Sequence, residues 1–155
     1  MTALRSRLVA VGVAAALGAA FVAAGCGGGN NDYTKQVTQA AQQFQTDARG
    51  AGTILAAAQS PQQFETAANK FDAAVKTFTD KLGTLKPPSG AKDEQQKLIA
   101  DLKHFSGTIN EVNDKVQNVN ARNVEGLVAL VSQLQADVAN VSKDAQSLED
   151  AVNDS

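Results

Sequence analysis

The chain has little of what catalytic and cofactor sites are usually built from. Its 155 residues include one cysteine (Cys26), one histidine (His104), one tyrosine (Tyr33), one methionine (Met1) and no tryptophan. A lone cysteine excludes an internal disulfide framework. A lone histidine excludes the paired Glu-x-x-His signature of carboxylate-bridged di-metal bundles. Covalent haem would need Cys-x-x-Cys-His, and the residues beyond Cys26 offer no axial methionine. No Asp-x-Asp-x-Asp-Gly run marks a calcium loop. No nucleophile with a neighbouring base, and no pair of carboxylates at a recognisable spacing, suggests hydrolysis. The expectation is a non-enzyme without cofactor or metal.

Clustered positive charge is missing as well. The whole chain carries -2. Arg5 and Arg7 lie in the first seven residues and all 16 acids lie beyond residue 25, so residues 26–155 hold 12 basic groups (14 minus 2) against 16 acidic, or -4. A basic footprint for phosphate backbones is absent, which excludes nucleic acid as an expected partner. A polybasic headgroup site is equally unsupported.

Long apolar runs are confined to one place. After Met1–Arg7, with two arginines and no acid, Leu8–Ala24 is an unbroken apolar and small stretch, LVAVGVAAALGAAFVAA, followed by Gly25 and Cys26. A short basic region, an apolar region and a small-residue ending form the layout of a secretory signal. The competing reading is a membrane-spanning anchor, although the run is shorter than the roughly 20 residues a span prefers. Ala23, Ala24, Gly25 and Cys26 resemble the lipobox of bacterial lipoproteins, with Ala23 standing where that family more often has leucine. The resemblance covers the first 26 residues. It implies a thioether-linked diacylglycerol on Cys26, cleavage before Cys26 and a lipid anchor at the extracytoplasmic face of the cell membrane. Lipidation also gives a single exported cysteine a role that the alternatives, a catalytic thiol or an intermolecular disulfide, do not supply beside Gly27, Gly28 and Gly29. Residues 1–25 are thus expected to be a signal peptide and residues 26–32 a lipidated cysteine with a flexible Gly-rich tether.

From residue 33 onward the dominant signal is helical periodicity. Phe64, Ala68, Phe71, Val75, Phe78, Leu82 and Leu85 recur at alternating steps of four and three, which keeps them on one helical face. Ser60-Pro61-Gln62-Gln63 supplies a cap, a proline at the first helical position and a capping-box glutamine, and Pro87-Pro88 ends the segment. Leu98, Leu102, Phe105, Ile109, Val112, Val116 and Val119 repeat the pattern. Val124, Leu127, Val131, Leu134, Val138, Val141, Ala145, Leu148 and Val152 resume it one residue out of phase after the Asn-rich stretch 118–123. The shift predicts a turn with Asn120 or Asn123 as the next cap; one long bent helix is the alternative. The first segment is weaker. Val37, Phe44 and Ala51 share a stripe with Ala40, Ala41, Ala48, Ile54 and Leu55 beside it, and Gly50 and Gly52 predict bending or fraying over residues 49–53.

Four segments at about 33–58, 61–85, 91–119 and 123–153, with short connections and no strand-period run, predict an all-α, antiparallel up-down-up-down four-helix bundle. The same 4-3 spacing suits a coiled-coil oligomer, but short loops favour a monomeric bundle. Taken together, the Ala-rich signal, Gly spacer, heptad helices and Pro-Pro linker resemble small helical lipoproteins of high-GC Gram-positive cell envelopes.

Few residues within the bundle invite a functional reading. His104 lies off the apolar stripe and is expected to face solvent. Asp47 is the one acid placed on an expected core stripe; it belongs either to a slightly rotated helix packing through Ala48 or to a buried polar pocket. Phe64, Phe71, Phe78 and Phe105 line a possible pocket for an apolar or lipid-like ligand, with core packing as the simpler account. Asp93, Glu94, Asp101, Asp114, Asp144, Glu149 and Asp150 read as a solvated face. The leading expectation is a non-enzymatic interaction or structural module with an envelope protein as partner; small-ligand binding inside the bundle is the alternative.

Overall fold

The structure, a computed structural model, describes residues 31–118 and 124–155. Helix α1 spans Asn31–Ala57, α2 Pro61–Thr84, α3 Lys92–Gln117 and α4 Val124–Asn153, with a 3-10 turn at Ser89–Ala91 before α3. No strand occurs among the described residues. The expected segment boundaries agree with these to within about two residues where they can be compared. The caps expected at Asn120 or Asn123 lie outside the described residues.

Each helix buries the stripe its sequence repeats. Val75, Phe78 and Leu82 of α2, Leu98, Leu102 and Phe105 of α3, and Val141, Ala145 and Leu148 of α4 meet Val37, Ala40, Ala41, Phe44 and Ala48 of α1 in one core. Helices consecutive in sequence pack on one another, α1 on α2, α2 on α3 and α3 on α4. The third and fourth segments are therefore two helices, not one bent rod. Helix α1 continues through residues 49–53. Two glycines disfavour helix there by about 1 kcal/mol each, but Ala48 and Ala51 are buried on the same face, and tertiary packing holds the turn.

The start of α2 follows the capping chemistry of its sequence. Ser60 is extended, with φ -140° and ψ 156°, and its Oγ accepts from the Gln63 backbone N–H at 3.3 Å. The Gln63 side chain reaches one residue further back than a standard capping box, accepting from the Gln59 N–H at 2.6 Å. Ser60→Ala is expected to cost about 1 kcal/mol, measured as a lower urea midpoint with unchanged slope.

One buried side chain ties three segments together near the start of α1. Gln95 accepts from the Tyr33 hydroxyl at 2.6 Å and donates to the carbonyls of Leu82 at 2.9 Å and Leu85 at 3.3 Å, where α2 ends. Burial pushes the Tyr33 phenol up to about 12. Gln95→Leu strands the Tyr33 hydroxyl and is expected to lose about 1 to 3 kcal/mol. Adding Tyr33→Phe removes the stranded group, so the double variant is expected to recover part of that loss. Additive losses in a double-mutant cycle would show that the two side chains act independently.

Candidate functional site

Cys26 and the residues Ala23, Ala24 and Gly25 lie outside the described residues. Among the other candidates, the structure brings three of the four phenylalanines together with a fourth ring from α1. Phe71 meets Phe105 edge-on at 5.8 Å and Phe44 edge-on at 6.2 Å, while Phe44 stacks on Phe78 at 5.3 Å. The Phe ladder thus packs against a ring as well as the alanines of α1. Phe64 is half-buried near the start of α2.

Asp47 is not part of that cluster. It is half-buried and accepts two hydrogen bonds from the Gln43 side chain one turn earlier, at 3.0 and 2.9 Å. Asp47 lines an open depression of about 360 Å³ between α1 and α2, with Thr46, Gly50, Ala51, Lys70, Ala74 and Thr77 among its neighbours. None of the four candidate phenylalanines borders this depression. A second, much smaller cleft of about 20 Å³ separates Tyr33 and Val37 from Leu148 and Val152.

The acidic residues correct the sequence reading. Asp144, expected on a solvated face, is 2% exposed, and so is Asp137; Asp72 is buried too. Asp47 is therefore not the acid that penetrates furthest. The physical reason lies beside the apolar stripe. Lys97, Asp101, His104 and Thr108 of α3 repeat its 4-3-4 spacing one residue ahead of Leu98, Leu102, Phe105 and Ile109, and this flank faces α4. Asp137 and Asp144 likewise precede Val138 and Ala145. The opposite flank of α3, with Ser106 and Asn110, faces α2.

Each buried carboxylate is received by polar groups across a seam. Asp137 accepts from the Thr108 hydroxyl at 2.6 Å and from Gln133 at 2.8 Å, and His104 Nε2 lies 3.5 Å from its Oδ1. The His104 side chain is 65% exposed, so it touches the seam from the solvent side. Lys97 Nζ sits 2.5 Å from Asp144 Oδ1, and this contact, with the negative charge of Asp144, raises the lysine's affinity for its proton. On the α2 side, Asp72 Oδ1 accepts from the Ser106 hydroxyl and Oδ2 from Lys76 at 2.6 Å. Periodicity alone could have exposed this second, polar stripe; the hydrophobic signal beside it was simply stronger.

Chemically, these seams position helices more readily than they turn over a substrate. The hydroxyls of Thr108 and Ser106 donate to carboxylates, and both lie buried between helices, away from any substrate that solvent could deliver. Among the described residues, no group of three His, Cys, Asp or Glu side chains is placed to hold a metal ion. Also among the described residues, no helix is long and apolar enough to cross a membrane.

No family model, curated protein or solved structure matches this chain.

Proposed function

We propose that this protein is a membrane-anchored extracytoplasmic lipoprotein, a non-enzymatic interaction or structural module of the cell envelope. The observation that carries the reading is the sequence Ala23-Ala24-Gly25-Cys26 at the end of the apolar run that follows Arg5 and Arg7. Small residues before a cysteine suit a lipobox. Two acyl chains on Cys26 supply enough buried methylene for stable anchoring, at about 0.8 kcal/mol each.

The helical part is then an antiparallel up-down-up-down bundle, monomeric and held close to the bilayer. Contacts between consecutive helices support that order: Gln95 of α3 with Leu82 of α2, Gln117 with Pro61, Lys97 with Asp144, and Thr108 with Asp137. In both of these pairs, α2–α3 and α3–α4, residue numbers fall along one partner as they rise along the other. Cys26 and Asn31 are five residues apart, a reach of at most roughly 17 Å. The start of α1 and the Tyr33–Gln95 tie face the membrane in this arrangement, and the α1–α2 connection and the end of α3 point outward toward an envelope protein partner.

Intact mass and fractionation of the chain expressed in its native host test the reading. A mature chain beginning at Cys26, heavier by a diacylglycerol group and found with the membranes, is the expected result. An unmodified Cys26 with residues 1–25 still attached would sink it.

A further inference from the structure

The α3–α4 seam contains a carboxylate oxygen with no hydrogen-bond partner. Asp144 Oδ1 is bound by Lys97, but Oδ2 is buried and unpartnered. An ionised carboxylate with an unsatisfied buried oxygen is costly, because the desolvation of that oxygen goes uncompensated. One turn beyond Lys97, on the flank of α3 whose Lys97 and Thr108 reach Asp144 and Asp137 of α4, stands the half-buried Asp101, and hydrogen bonding to Asp144 helps it hold a proton. Two ionised carboxylates in contact repel, and neither has a hydrogen to give. One proton resolves both problems.

We propose that Asp101 and Asp144 share a single proton, carried on Asp101 and donated to the buried Asp144 Oδ2, and that this bond is a pH-responsive latch between α3 and α4. The surrounding charges set its range. From α3, Lys97 and His104 face Asp101 and favour its ionised form, and Glu94 lies beside Lys97; from α4, Asp144 opposes ionisation, while Asp137 sits next to His104. Asp72, from α2, is on the other flank of α3 and bound to Ser106 and Lys76. Burial foremost, then the hydrogen bond and charge of Asp144, hold the Asp101 carboxyl above the ordinary aspartate range against the pull of Lys97 and His104.

The sign of the pH dependence follows. A carboxyl whose folded value is raised binds its proton more tightly in the folded chain. Its contribution to stability is whole below the unfolded aspartate value of about 3.9, and is lost as pH rises through the folded value. The latch is closed in mild acid and loosens toward higher pH. Glu149 is raised in the same direction by burial and by Asp150, so a stability curve alone would mix the two groups.

Carbon-13 NMR titration of the Asp carboxyls in the full chain, solubilised in detergent, separates them. Asp101 is expected to titrate above the ordinary aspartate range, and in Asp144→Asn to fall back to that range or below it, since the new amide donates to Asp101. Asp101→Asn carries a permanent donor to Oδ2. Its amide-exchange protection along α4 is expected to stay level as pH rises through the range in which Asp101 of the unsubstituted chain loses its proton and that chain loses protection. An ordinary titration of Asp101 overturns the proposal. So does a raised value that Asp144→Asn leaves unchanged, because burial alone would then be the cause. Asp101→Asn losing α4 protection with the same pH slope as the parent is equally fatal, and does not depend on how well Asp144→Asn folds.

Discussion

Phe105→Ala is expected to destabilise the bundle by about 3 to 5 kcal/mol. Phe105 has no exposed surface and stands at the centre of α3, between Leu102 and Ile109, with its ring against Phe71. Three consequences of the truncation act in one direction. The buried ring's transfer energy is lost, a cavity opens that backbones packed on both sides of α3 cannot readily fill, and the edge-on contact with Phe71 disappears, itself worth about 0.5 to 1.5 kcal/mol. Against a typical total stability of about 5 to 15 kcal/mol, this is a large fraction. Phe64→Ala provides the comparison, since Phe64 is only half-buried near the start of α2 and should lose much less. Urea unfolding of the two variants checks the ordering. Equal losses would mean that the apolar stripe is energetically uniform, and that the ring cluster of Phe44, Phe71, Phe78 and Phe105 is not the centre of the core.

That ordering also shows what periodicity can and cannot convey. The stripe on α2 placed Phe71 and Phe78 facing inward correctly, because steps of four and three admit only one helical face. It could not grade them. Leu82 is fully buried while Phe64, on the same stripe, is not, because depth depends on what lies opposite and on distance from the bundle's end. The α1 helix was harder to read for a related reason: two glycines weaken its local preference, and only the burial of Ala48 and Ala51 against neighbouring helices shows why it continues.

The polar seams were the larger omission. Asp137 and Asp144 look like surface acids because charged residues beside a stripe are usually solvated. Here the partners make the difference, and they come from residues 29 and 47 positions away in sequence, Thr108 and Lys97. A heptad repeat fixes which residues flank the core without identifying the side chain opposite. The repeated 4-3-4 spacing of Lys97, Asp101, His104 and Thr108 was visible, but its register against α4 required the fold. These paired groups also explain how helices with similar apolar stripes can settle in one alignment: sliding α4 by a turn against α3 would leave Asp137 and Asp144 buried without Thr108 and Lys97, at a cost far above that of shifting one leucine past another.

Cys26→Ala is expected to abolish lipid modification altogether, an all-or-none effect that reaches membrane association by way of processing. If lipid on Cys26 is the anchor, the substitution removes both acyl chains. The family resemblance then implies that cleavage before residue 26 fails too, so the variant should retain residues 1–25 and their apolar run. Membrane partitioning alone would therefore mislead, since the uncut run can itself hold the chain at a bilayer. Mass is the decisive readout for this variant: full length, with no diacylglycerol. A second protein beginning at Gly27 isolates the anchor. Residues 27–155 carry net charge -4, since Cys26 contributes none to the count made from residue 26. Anionic headgroups repel such a domain, and no described helix is apolar enough to span the membrane. That protein should leave the membrane fraction completely. A single 14-carbon chain gives an association constant of about 10⁴ M⁻¹ and a second chain makes attachment stable, so the parent should stay with the membranes while the truncated chain leaves them. Truncated protein that stayed with the membranes would locate a binding surface on the bundle itself. Lipid-free parent protein with an intact leader would instead identify residues 8–24 as the anchor and leave Cys26 an ordinary thiol.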